Sequence, residues 1–260
     1  MPDTKSIRTR IKGVKSTLHL TEAMGTVASS KMRKANQAMQ SAKEFQSMLD
    51  ELIPRVAVHA KGHSYLREGG DRCKVIVIAG DRGMAGGYNA NVFRTVAKMQ
   101  NAEVVPIGKR ACNKYGAQVC SSERFFADDA KRLADELCDQ FRAGAFDRLV
   151  IVSSKYISAM EQRVHTEQIL PLSAQQDRET EIVFEPSPEQ VLDVYVPQYV
   201  AGKILCAVRE SFACEITARK TAMDSAGKNA REMSDNLQLM YNRARQGAIT
   251  QEITEILAGR

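Results

Sequence analysis

The chain has 260 residues, 43% of them hydrophobic and 26% charged, with a formal net charge of +6. That balance describes a globular protein with room for one or two domains, and it excludes a disordered chain. No apolar run approaches ~18 residues, so no transmembrane helix is predicted, and the basic stretch KSIRTRIKGVK leads into a helical pattern rather than the apolar core of a secretory signal.

The charge surplus is local. Residues 1–60 carry ten Lys or Arg against five Asp or Glu, whereas the rest of the chain is nearly balanced. From Ser6 to Val56 a heptad pattern holds, with Ile7, Val14, Thr21, Ala28, Ala35, Ala42, Leu49 and Val56 at one seam position. Ile11, Leu18, Gly25, Met32, Met39, Gln46 and Ile53 stand at the other. A seam this rich in Ala and Met lets two backbones approach closely, and a repeat sustained this long predicts a coiled-coil helix, with Pro54 and Gly62 marking its end. The basic residues Lys5, Arg8, Arg10, Lys12, Lys15, Lys31, Arg33, Lys34 and Lys43 suit a phosphate backbone, a solvated helix face or an acidic protein surface. The chain has no Trp, no aromatic interleaving and no recognition motif, which favours the acidic protein partner over nucleic acid.

The middle of the chain alternates. KVIVIA (74–79), Val104–Ile107 and LVIV (149–152) read as buried strands, and Tyr88–Gln100, Lys109–Tyr115 and Asp128–Phe141 as helices between them. This alternation predicts a doubly wound α/β sheet, followed by weaker strands at Ile169–Leu172 and Ile182–Phe184 and by the punctuation of Pro186, Pro188 and Pro197. After the first strand comes Gly80-Asp81-Arg82-Gly83-Met84-Ala85-Gly86-Gly87, where α/β folds often hold phosphates. Its spacing matches neither G-x-G-x-x-G nor G-x-x-x-x-G-K-[ST], and Gly108-Lys109-Arg110 fails the same test. Glycines that turn a strand sharply into a helix explain it more simply, with Arg82 exposed at the tip to meet something acidic.

No catalytic or metal set is evident. The histidines at 19, 59, 63 and 165 are scattered, and the cysteines at 73, 112, 120, 138, 206 and 214 show no C-x-x-C, which predicts reduced thiols. Two further readings remain open on the residues: a nucleotide-binding α/β enzyme with helical extensions, and a basic coiled coil that binds nucleic acid.

Residues 201–260 contain no proline and read as one helix on the order of 90 Å long, too long for a single compact domain. Its heptads place Leu205, Phe212, Arg219, Ala226, Met233, Met240, Gly247 and Thr254 at the first seam position. Arg209, Ile216, Met223, Ala230, Leu237, Ala244, Gln251 and Ala258 take the second. Apolar character fades near Arg245. Two long helices at opposite ends of the chain predict an antiparallel pair, with the middle segment at one end of a shaft.

The ends carry a specific resemblance. Tyr241-Asn242-Arg243-Ala244-Arg245-Gln246, then Ile249-Thr250-Gln251-Glu252-Ile253-Thr254-Glu255-Ile256, resemble the γ subunit of F-type ATP synthases. So do Ala222-Met223-Asp224-Ser225-Ala226, the N-terminal Val27-Ala28-Ser29-Ser30-Lys31-Met32-Arg33-Lys34-Ala35, and Asp81-Arg82-Gly83 with Gly86-Gly87. The resemblance implies an α/β protein whose N- and C-terminal helices (1–60 and 201–260) form an antiparallel coiled coil around a central Rossmann-like domain (61–200). It implies a non-catalytic rotor with no cofactor and no membrane span of its own. The shaft would turn inside a ring of three α and three β subunits and join the ε subunit and the membrane c-ring, so that ion flow drives the β sites through their nucleotide affinities.

Residue by residue, the resemblance places Glu215, Arg219, Arg245, Gln246, Thr250 and Glu252 near the contacts with β. It places Met24, with the basic residues Arg8, Lys31 and Arg33, on the facing helix, and Arg82 opposite an acidic segment of β. The chain departs from the family at Leu18, His19, Leu20 and Glu22, where Gln, Lys, Ile and Lys are usual, so one charge is reversed. Met84-Ala85 stand for Leu-Cys, Lys220 stands for Met, and the chain stops at Gly259-Arg260, short of the usual apolar tail. The cysteine-bearing insertion of chloroplast members is absent. These features imply a bacterial enzyme, peripheral on the cytoplasmic face of the inner membrane, without thiol control.

Overall fold

The seam written into residues 7–56 is the inner face of one helix, α1 (Thr4–His59). Each seam residue from Ile7 to Val56 is buried or half-buried in the computed structural model, which describes residues 4–60, 62–67, 69–99, 101–173 and 184–259. Pro54 does not end the helix as predicted. An interior proline costs about 3 kcal/mol, but Ile53, Val56, Ala57 and Ala60 are all buried around it and hold the last turns in place. The same physics sets the start of the C-terminal helix, α5 (Pro188–Ala258), which begins earlier than expected and contains Pro197. Pro188 suits a first turn, where its missing N–H is no loss. Leu192, Val196, Val200, Ile204 and Val208 then form a fully buried stripe, each contributing about 1.5–3 kcal/mol, which offsets the cost of Pro197. Contrary to the sequence expectation, α5 is long and apolar enough by composition to cross a membrane; a core helix passes the same test, and this stripe lies in the core.

The chain separates into two compact units, Met1–Ser30 with Arg219–Arg260, and Lys31–Ala218. The first is an antiparallel helix pair. Ile7 and Ile11 pack with Leu237, Tyr241 and Ala244, Glu22 bonds Arg231, and Gly25 lies against Met223 and Asp224. The second seam series of α5 is as expected, because Met223, Ala230 and Leu237 are buried. The first series is displaced by one residue. Met233 and Met240 are 49% and 57% exposed, while Ser234 and Tyr241 turn inward and Gly227 is buried. Gly227, Ser234 and Tyr241 keep the alternating three- and four-residue spacing with the buried series. Gly227 faces the partner helix closely: a Cβ on it would lie in ordinary van der Waals contact, 3.5 Å from Thr21 Oγ1.

The second unit holds a four-stranded sheet, β1 (Cys73–Ile78), β2 (Ala102–Ile107), β3 (Arg148–Tyr156) and β4 (Gln162–Leu170), in the order β2-β1-β3-β4. β1 runs parallel to both neighbours and β4 is antiparallel to β3. Helices α2 (Tyr88–Val96), α3 (Lys109–Tyr115) and α4 (Ala127–Arg142) connect the strands. Pro106 is tolerated because β2 is an edge strand. Strand alternation divides the core: Val75, Val77, Val150 and Val152 pack with Val92 and Val96 of α2 on one face. Ile76, Ile78, Leu149 and Ile151 pack with α4, α5 and the end of α1 on the other. This is the doubly wound arrangement the alternation predicts. Of the strand expected at Ile169–Leu172, Ile169 and Leu170 end a longer β4 and Pro171 and Leu172 lie beyond it; of the strand expected at Ile182–Phe184 only Phe184 lies among the described residues, outside any element.

A half-buried cation ties α1, β4 and α5 together. Lys203 Nζ lies 2.8 Å from Asp50 Oδ1 and 2.6 Å from Glu167 Oε1. Burial works against its charge, but these two hydrogen bonds outweigh that and raise its pKa.

Candidate functional site

In a doubly wound sheet the natural ligand crevice lies beyond the carboxyl ends of the strands, where the connections diverge from a central strand. Here that position is beyond β1 and β3, and α5 fills it with a polar face. Glu210 Oε1 accepts the Tyr156 N–H (2.9 Å) and Lys43 Nζ (2.6 Å). Ser211 Oγ accepts the Ser154 N–H (3.2 Å), and Tyr88 Oη donates to the Ser211 carbonyl (2.9 Å). Burial pushes the Tyr88 phenol far up, so it remains a neutral donor. Cys214 Sγ reaches the Ser154 carbonyl at 3.5 Å, and burial raises this thiol to about 12. Such a thiol is unreactive near neutrality. All six cysteines are free, and among the described residues no group of His, Cys, Asp or Glu is placed to hold a metal.

One turn further along α5, Glu215 enters the glycine-rich loop. Its Oε2 accepts the Asp81 N–H and its Oε1 the Arg82 N–H, both at 3.3 Å. The side chain is 2% exposed. A Cβ on Gly80 would stand 2.6 Å from Glu215 Cδ, so glycine is required there for close approach. A nucleotide phosphate would take backbone N–H groups in the same way. In this chain the carboxylate of its own helix takes them.

Asp81 clamps the loop from the other side. Its carboxylate accepts Ser121 Oγ (2.5 Å) and the N–H groups of Ser122 (2.9 Å), Glu123 (3.1 Å) and Lys109 (3.0 Å). Burial alone would raise its pKa, but the Ser121 bond and the three backbone bonds prevail and hold it below the usual value. Asn89 closes the loop by accepting the Gly80 N–H at 2.9 Å and donating to the Arg82 carbonyl at 3.3 Å. The backbone is thus fixed on three sides while the Arg82 side chain stays 64% exposed, with Glu123 Oε2 3.9 Å away. Glu123 also pairs with Lys31.

The residues implied as partner contacts fall into two sets. Lys31, Arg33, Arg82 and Glu215 belong to the sheet-containing unit, where Arg33 and Arg82 are exposed, Lys31 is half-buried and Glu215 is buried. Arg8, Met24, Arg219, Arg245, Gln246, Thr250 and Glu252 belong to the helix pair. There Arg219 is 6% exposed and Met24 half-buried, whereas Arg8, Arg245, Gln246, Thr250 and Glu252 face solvent. Arg8 lines a 550 Å3 groove with Lys12, Lys15 and Tyr241. Sequence reading did not single out Glu210, Ser211, Asn89 or the clamping role of Asp81. The signal for the first was present, since Glu210 stands in a mostly apolar stretch of helix, residues 204–216, whose other carboxylate is Glu215.

The fading of apolar character near Arg245 has a geometric cause. Tyr241 and Ala244 pack against the cluster of Ile7, Ile11 and Leu237, and the described part of α1 begins at Thr4. Beyond that point α5 has no described partner helix, and residues 248–259 are all exposed, including Ile249, Ile253, Ile256 and Leu257. These four form a stripe at helical spacing. The reversed charge at Glu22 is also accounted for, because its Oε1 lies 2.5 Å from Arg231 Nη2 across the helix pair.

The family described as ATP synthase matches residues 3–260. A protein of Ruminococcus albus named ATP synthase gamma chain is 36% identical over 281 residues, covering 98% of this chain and 97% of its own. One of the same name from Desulforamulus reducens is 36% identical over 278 residues, covering 100% and 98%. Among solved structures, a chain in the Euglena gracilis mitochondrial ATP synthase (OSCP/F1/c-ring) is similar with a TM-score of 0.68 at 17% identity, covering 98% of this chain and 93% of that one. A chain in the central stalk and c-ring of the Tetrahymena thermophila enzyme gives 0.60 at 18% identity, covering 80% and 99%. Those two likenesses speak to fold.

Proposed function

Because this chain belongs to the ATP synthase gamma-chain family, we propose that it is the central rotor of an F-type ATP synthase, a shaft that carries no active site of its own. Ion flow through the membrane sector would turn it, and its asymmetric surface would drive the catalytic β subunits through their affinities for nucleotide; ATP hydrolysis would run it in reverse. Residues 1–60 and 201–260 supply the shaft helices and residues 61–200 the domain that joins the ε subunit and the c-ring. The complex would sit on the cytoplasmic face of a bacterial inner membrane, with this subunit peripheral.

The observation that carries the reading is the end of α5. A helix that outruns its partner and exposes the polar belt Arg245, Gln246, Thr250 and Glu252 beside an apolar stripe is suited to a surrounding ring. Contacts that must break at every step should each be weak, and an exposed hydrogen bond nets only about 0.5–1.5 kcal/mol. Arg8, Arg33, Arg82, Arg245, Gln246, Thr250 and Glu252 are the residues to which the proposal assigns such contacts, and their exposure supports it. Filling of the glycine-rich loop by Glu215 leaves the nucleotide-enzyme reading without support from the geometry. The test is affinity purification of the tagged chain from its native membrane. Recovery of stoichiometric α and β subunits is expected, and their absence would sink the rotor assignment.

A further inference from the structure

Glu215 has almost no surface to offer a partner, yet it reaches the loop that presents Arg82. We infer that Glu215 is a positioning residue, which acts on the partner contact of Arg82 by fixing the backbone from which that side chain projects. The inference rests on the reading above that Arg82 meets carboxylates of the β subunit.

Four observations converge on it. The two carboxylate oxygens take consecutive N–H groups, one each, so the two peptide planes on either side of the Asp81 Cα are both oriented. Gly80 is needed to admit the carboxylate, which shows that the approach is built into the loop. Asp81 is held by four further hydrogen bonds, so the loop cannot follow Glu215 if it withdraws. Met84 keeps a left-handed φ of 58°, a conformation that costs a non-glycine residue energy and persists only where the surroundings over-determine it. Arg82 itself contributes nothing to this bracing except its backbone, and its guanidinium points to solvent beside Glu123. Replacing Glu215 by Gln keeps its shape but turns one acceptor into a donor, so one of the two loop N–H groups faces another N–H.

The test uses the assembled complex carrying Glu215→Gln, Arg82→Ala or both, with Glu215→Asp as a second variant that keeps the charge but shortens the reach. Two quantities are read: hydrogen exchange of the peptide covering Asp81 and Arg82, and ions pumped per ATP hydrolysed. Glu215→Gln should speed exchange in that peptide about tenfold and leave β1 unchanged, as loss of one charge-assisted hydrogen bond implies. Pumping per ATP should fall as far as in Arg82→Ala, and the double variant should be no worse than either single one. Unchanged exchange, or a double-variant loss equal to the product of the single losses, overturns the inference. Pumping at the unaltered level in Arg82→Ala would instead overturn the underlying contact, recognisable because exchange in Glu215→Gln would still be fast. Should Glu215→Gln fail to assemble, Glu215→Asp must show the same pattern in both quantities or the inference falls.

Discussion

Glu22 and Arg231 meet across the helix pair, carboxylate oxygen to guanidinium nitrogen at 2.5 Å, at a position where the resemblance leads one to expect a lysine. Both side chains are well exposed, so the pair is worth little, about 0–1 kcal/mol. Glu22→Lys should nevertheless lower the melting temperature, because it sets two cations face to face. Adding Arg231→Glu should recover most of the loss. Calorimetry on the two variants checks this, and a double variant no more stable than Glu22→Lys would show that the pair is incidental.

Gly108 stands at the turn from β2 into α3 with φ of 95°, and a Cβ there would overlap the Ala79 carbonyl oxygen at the end of β1. Relief requires moving one strand end or the other. Gly108→Ala should therefore destabilise the sheet-containing unit by about 3 kcal/mol or more. Urea titration followed by circular dichroism measures it, and a midpoint within error of the unaltered chain would refute the strain.

Asp81 is held below the usual carboxylate value because its four hydrogen bonds overcome its burial. A carboxyl whose pKa is depressed by folding stabilises the fold above its unfolded pKa of about 3.9 and loses that contribution as pH falls through the folded value. Asp81→Asn should cost about 2 kcal/mol near neutral pH, in line with loss of charge-assisted bonds. The gap between the two proteins should close as pH falls below about 4. Denaturation at pH 7 and pH 3 distinguishes this from a packing defect, which would leave the gap constant.

Arg82→Glu places a carboxylate beside Glu123 at the loop tip and reverses the charge offered to a partner. ATP-driven ion pumping by the complex should drop relative to ATP hydrolysis, while α and β subunits still co-purify. Pumping that keeps pace with hydrolysis would remove Arg82 from the coupling contacts.

The long helices were legible because one face had to be apolar over many turns, and a heptad repeat records that face directly in α1. In α5 the record misled at one series. Met233 and Met240 look more like seam residues than Ser234 and Tyr241, yet the latter face inward because they keep the angular spacing set by the buried Met223, Ala230 and Leu237. Both prolines were read as boundaries for a related reason: the local cost of a proline is visible in the sequence, while the buried stripe that outweighs it depends on what packs there.

The candidate site divides in the same way. Its glycines, its exposed arginine and its mismatch to phosphate-binding motifs could be read from the residues, since they depend on local backbone freedom and spacing. That Glu215, distant in the chain, fills the loop could not, because a side chain enters a buried cradle only when packing brings two separate segments together. The sequence alone thus determined the periodic face of α1, the alternation of strands and helices and the family. Tertiary structure decided which polar residues turn inward, because desolvation and hydrogen-bond satisfaction are settled only where distant segments meet.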